Sequence, residues 1–147
     1  MTEAATMYAV LLMAASHFAV VNPSQGILID LLAIKSRALR EINNALKHST
    51  RATTDALIGA VAKMAAYESI FGDSEVSAAH MKGLQKMLKM RGGLGTLGLN
   101  GLLERMCVWI DLNAAHITGR AVCLGGEDYP TVVSFAAPDP FHFAGIS

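Results

Sequence analysis

Apolar residues recur at helical spacing along most of the chain, and no alternating strand pattern appears before residue 119. The first predicted helix runs from about Glu3 to Val21 and stops at Asn22-Pro23, since proline disfavours helix for the residue before it. The second spans about Gln25 to His48, with Leu28, Leu31, Leu32, Leu39, Ile42 and Leu46 on one face. A third follows the Ser49-Thr50 break and reaches Phe71, turning Leu57, Val61, Met64 and Phe71 inward. Gly72 ends it, and Asp73 is a good N-cap for the fourth, with Glu75 in the first turn. The fourth closes after Arg91 at Gly92-Gly93. The fifth runs from about Gly101 to Thr118, presenting Leu103, Met106, Ile110 and Ile117.

These elements predict an all-α fold, a bundle of about five helices over residues 1–119, with residues 120–147 as an extended tail packed on it. Pro130, Pro138 and Pro140 punctuate that tail, where Val132 to Phe135 forms a short strand or extended chain. The glycine-rich stretch Gly92 to Gly101 follows no strand and lacks a P-loop pattern. A tight connection anchored by Leu94, Leu97 and Leu99 is therefore expected, not a phosphate cradle. Ala4 to Val21 carries no charge and is long enough for a short membrane span. It is weakly hydrophobic, however, with six alanines plus Thr6, Ser16 and His17, and no basic residue flanks it before Lys35. A buried helix in the middle of the bundle is preferred over a membrane span or a signal peptide.

A chain of 147 residues fits one domain, and its 52% hydrophobic content excludes disorder as the main state. Twelve basic residues balance twelve acidic ones, which argues against a general polyanion binder and against direct nucleic-acid contact. The charge is uneven, though: from Lys82 to Arg105 there are five basic residues and one acidic. Lys82, Lys86 and Lys89 lie opposite Met81, Leu84 and Leu88, as a solvated face or as a docking surface for an acidic partner. Two cysteines, Cys107 and Cys123, suit a reducing compartment and cannot form a disulfide scaffold. The five histidines form neither HExxH nor a helical metal pair, and Cys107 has no activating base implied by spacing. No nucleophile elbow, paired-carboxylate motif or dinucleotide fingerprint occurs, so neither an enzyme nor a metal or cofactor is expected.

Three polar residues fall where apolar ones belong. Lys35 sits in the leucine face of the second helix, Glu68 on the stripe of the third, and Asn113 between Met106, Ile110 and Ile117. Burying a lone charge is costly, so Lys35 should snorkel, and Glu68 should accept from a cation or a capping amide. The alternative is a polar cluster that recognises a ligand. Arg91, ending the fourth helix, has Asp111 as its nearest plausible acidic partner. Of the eight methionines, Met81, Met87, Met90 and Met106 gather around the last two helices. They fill the core, or line a lipophilic pocket with Met87, Met106, Trp109 and Asn113 as its lining.

The segments Ala66-Tyr67-Glu68-Ser69-Ile70-Phe71-Gly72, His80-Met81-Lys82-Gly83-Leu84 and Leu88-Lys89-Met90-Arg91-Gly92-Gly93-Leu94 follow in order. Leu102-Leu103, Trp109-Ile110-Asp111, Ala114-Ala115 and Gly119 come after them. In order and spacing this resembles the fungal-specific transcription factor domain, the region C-terminal to a binuclear zinc-cluster DNA-binding module. The resemblance implies an all-helical regulatory region controlling transcription, with a hydrophobic small-molecule site in some sterol-responsive members. It makes Glu68, Arg91, Gly92, Gly93 and Asp111 motif positions of structural role, and it favours the nucleus over the cytoplasm. The cysteines of a zinc cluster are absent, so the chain is not expected to contact DNA through that module, and it reads as a fragment, a truncated relative or a stand-alone regulator. The expected function is a non-enzymatic regulatory module working by protein contact. A homodimer would cover apolar surface left bare by missing helices. The alternative is a binder of a lipophilic small molecule.

Overall fold

Residues 2–23, 30–48 and 52–124 are described by a computed structural model of the chain. Among them run five α-helices: α1 (Thr2–Val21), α2 (Leu31–Leu46), α3 (Asp55–Phe71), α4 (Ser74–Arg91) and α5 (Leu102–Thr118). Two short 3-10 turns, Leu94–Thr96 and Leu99–Gly101, join α4 to α5. The predicted strand or extended run at Val132 to Phe135 lies outside the described residues, as does the tail's packing beyond Leu124.

Side-chain caps set the starts of three helices by satisfying amides that have no partner within the helix. Asp30 Oδ1 accepts from Ala33 N at 2.9 Å and caps α2 at Leu31; the expected start near Gln25 lies outside the described residues. Thr54 Oγ1 accepts from Leu57 N at 3.3 Å, and Asp73 Oδ1 from Glu75 N at 2.7 Å and Val76 N at 3.2 Å. At the end of α4 the chain turns left-handed at Gly92 (φ 112°), where Gly93 N donates to Leu88 O at 2.8 Å. Leu94 and Leu97 anchor the following connection in the core, as expected; Leu99 does not, standing exposed at positive φ.

The middle of the bundle is α3, not α1. It packs on α1, α4 and α5, and its small residues Gly59, Ala60, Ala62, Ala65 and Ala66 are all buried and let neighbours approach. Helix α1 covers α2 and one side of α3 with Ala5, Ala9, Leu12, Met13 and Ser16, and turns Met7, Val10, Leu11 and Phe18 outward. Both helices are alanine-rich, but α3 carries Lys63 and Glu68, which mark it in sequence as the more exposed. Glu68 is paired within the bundle, and that makes the central position tenable. The window Ala4–Val21 is long and apolar enough to cross a membrane by length and composition, and 33% of it is buried here.

The buried face of α2 is also displaced from its leucine stripe. Ala38, Ile42 and Ala45 point inward, whereas Leu32 and Leu46 are exposed. Small residues allow α2 to lie close to α1, its main neighbour. Hydrogen bonds between helices reinforce the packing: Thr6 Oγ1 donates to Ala56 O at 2.9 Å, and buried Ser77 Oγ donates to Ala65 O at 2.9 Å.

Candidate functional site

Lys35 and Glu68, misfits on separate helices in the sequence, meet in the fold. Nζ of Lys35 lies 2.5 Å from Oε1 of Glu68. The lysine keeps 29% of its side chain exposed while the carboxylate is wholly buried. The other oxygen, Oε2, accepts from the backbone N–H of Asp73 at 2.9 Å. Asp73 in turn caps α4, so one carboxylate links α2, α3 and the start of α4. Lys35 also lies 5.6 Å from the centroid of the Tyr67 ring. The hydrogen bond to Glu68 outweighs desolvation and holds the Lys35 ammonium above the usual lysine range.

Arg91 finds a different partner from the one expected. Its Nη1 pairs with Asp55 Oδ1 at the start of α3 and donates to Thr53 O at 3.0 Å, while Nη2 donates to Thr96 O at 2.7 Å. The guanidinium thus clasps the beginning of α3, the end of α4 and the glycine-rich connection. Gly98 provides room: a β-carbon there would collide with Asp55 Oδ2. Asp111 instead uses Oδ1 and Oδ2 to accept from the backbone of Cys123 (2.8 Å) and Leu124 (2.7 Å). Gln85 Nε2 donates to Cys123 O at 2.9 Å, so residues 123–124 bridge α4 and α5. The sequence missed Asp55 because it stands in a helix's first turn, where an acidic residue has an ordinary dipole role.

A cavity of about 340 Å³ opens between α1, α3 and α5. Of the four residues expected as a lipophilic lining, Met106, Trp109 and Asn113 border it, together with Met13, Leu102 and Ile110. Met87 does not; it lines a second cavity of similar volume with Leu39, Ile42, His80, Lys86 and Met90, between α2 and α4. The cause is rotation along α4, which turns Met87 towards α2 and away from α5. Lys63 and Arg105 also line the first cavity and were not singled out from sequence. Residues 102, 105, 106, 109, 110 and 113 share one face of α5, so its helical period carried that signal. Asn113 donates through Nδ2 to Trp109 O at 2.8 Å, while Oδ1 is buried without a partner among the described residues. Burial lowers the Lys63 ammonium below its ordinary value.

Lys82, Lys86 and Lys89 are all exposed along α4, with Met81, Leu84 and Leu88 buried behind them. The buried Cys107 thiol is pushed up to about 12, chiefly by desolvation and further by Asp111, which keeps it protonated. His80 is held below its usual range by burial and by Lys35, against the opposing charge of Glu68. Among the described residues no group of three or more His, Cys, Asp or Glu is placed to hold a metal ion.

Together these features define an all-helical domain cross-tied by charged residues, with apolar cavities between helices. The chain belongs to the family of the fungal specific transcription factor domain, whose family model matches residues 1–144. No curated protein and no solved structure gives a match. The residues that carry the sequence resemblance fall at the cross-ties: Glu68 beneath the α4 cap, Arg91 with Gly92 and Gly93 at the end of α4, and Asp111 against residues 123–124.

Proposed function

We propose that the chain is a non-enzymatic regulatory module of a nuclear transcription regulator, acting by protein contact as a homodimer. Family membership supports the regulatory role. The observation that carries the contact is the outer face of α1, where Met7, Val10, Leu11 and Phe18 are each more than 40% exposed. No charged residue lies between Ala4 and Val21, so a second copy of this face meets no like-charge repulsion and gains from apolar burial. Sedimentation velocity at micromolar concentration tests the dimer. A dimer that Leu11→Glu converts to a monomer of unchanged helix content is the expected result; a monomeric wild-type chain overturns it. Fusing the chain to an unrelated DNA-binding module upstream of a reporter tests the regulatory role, and an unchanged reporter overturns it.

A second reading is favoured by the cavity beside Trp109, which gathers three of the four residues read from sequence as a lipophilic lining. In this reading a small apolar molecule lodges between α1, α3 and α5 and biases their packing.

A further inference from the structure

The cavity beside Trp109 differs from a simple apolar pocket in its charge. Apolar walls come from Met13, Leu102, Met106, Trp109 and Ile110, yet two cations, Lys63 and Arg105, border the same space. Among the described residues no Asp or Glu lines it. Neither cation forms an ion pair among the described residues, although three ion pairs occur elsewhere. Asn113, only 1% exposed, adds a buried polar atom without a partner, Oδ1. A half-buried lysine with no counter-ion is unfavourable for the empty protein and becomes favourable once an anion arrives.

We infer that this cavity binds a lipophilic carboxylate, its chain against Trp109 and Met106 and its anionic head between Lys63 and Arg105. The inference rests on the lipophilic-cavity reading above and adds the head group to it. A neutral lipid would leave half-buried Lys63 uncompensated, while Arg105 at the exposed rim stays solvated, and a lipophilic cation would add a third positive charge. A carboxylate satisfies both, with Arg105 able to offer two parallel N–H donors and Lys63 a point charge. The cavity's volume of about 340 Å³ lies within the range of small-ligand sites and suits a medium-length chain. A hydroxyl or water carried in with the ligand would satisfy Asn113 Oδ1.

Trp109 is the sole tryptophan, so its fluorescence reports directly on this cavity. The experiment titrates the full chain with decanoate, decanol and decyltrimethylammonium, and repeats the series with Lys63→Met and Arg105→Met. Expected is a saturable emission shift with decanoate, binding at least tenfold tighter than decanol, and no shift with the ammonium compound. Each substitution should weaken decanoate at least tenfold and leave decanol unchanged. Both side chains can be replaced without opening a core cavity, and a circular-dichroism melt verifies each fold. Equal binding of decanoate and decanol, or variants that bind decanoate normally, overturns the carboxylate head group and leaves the lipophilic cavity standing. If neither decanoate nor decanol binds, both readings fall.

Discussion

Gly72 lies so close to the carboxylate of Glu68 that a β-carbon at position 72 would overlap Oε2. The glycine therefore serves two ends: it terminates α3, and it leaves space for the oxygen that accepts from Asp73 N. Gly72→Ala must displace the buried carboxylate and disturb the α4 cap together. A loss of about 1–3 kcal/mol is expected, the usual range for forcing atoms into a packed site. Urea unfolding of the variant measures it, with the change in midpoint at constant slope as the readout.

Removing Lys35 should be worse than neutralising both partners. Lys35→Met leaves a buried carboxylate with no cation, which costs about 3–5 kcal/mol in comparable cases. Adding Glu68→Gln removes the stranded charge and retains an acceptor for Asp73 N, so the double variant should recover much of the loss. A double-mutant cycle from denaturation curves isolates the coupling. The pH dependence has a definite sign. The folded Lys35 pKa is raised above 10.5, so its contribution is complete below that value and disappears as pH rises through the folded pKa. Thermal melts of the wild type should therefore fall more steeply above about pH 10.5 than those of the double variant.

Arg91→Ala removes one ion pair and two backbone contacts at the junction of α3, α4 and the glycine-rich turn. The pair is partly exposed and contributes modestly, so most of an expected loss of about 2 kcal/mol comes from the charge-assisted bonds to Thr53 and Thr96. Arg91→Lys should recover only part of it, because an ammonium cannot reach three acceptors in the guanidinium geometry. An unchanged melting temperature in Arg91→Ala would remove the clasp from the account.

His80 supplies an acid-side test. Its folded pKa lies below 6.5, mainly through burial, so the unfolded chain binds more protons as pH falls past that value. Stability is then lost from about pH 6.5 down to the folded pKa, below which the penalty is constant. His80→Gln should melt with a shallower dependence over this window. Identical slopes in the two proteins would assign the acid sensitivity to other groups.

Helix number and most boundaries were legible because local chemistry encodes them: Asp73 caps, Gly72 and Gly92 stop, and the apolar period identifies α4 and α5. Relative placement was not. Ala-rich, weakly amphipathic α1 and α3 look alike to a periodicity argument, and only the Lys35–Glu68 pairing explains why the charged one is central. Arg91's attachment to Asp55 depends on how α4 returns beside the start of α3, a tertiary fact with no local signature. At the cavity, Met106, Trp109 and Asn113 share a helical face, which makes their neighbourhood readable from spacing, whereas Met87, named with them, lies elsewhere. Lys63 was not readable in this way, because it comes from another helix.

Helices α4 and α5 touch each other sparingly and rest mainly on α3. What fastens one to the other is the short crossing at Cys123–Leu124, held by Asp111 on one side and Gln85 on the other. Leu124 is itself buried in the hydrophobic core, so the crossing joins two N–H bonds on the middle of α5 to apolar packing. The crossing thus acts as a rivet, set into both helices by polar bonds and into the core by one leucine.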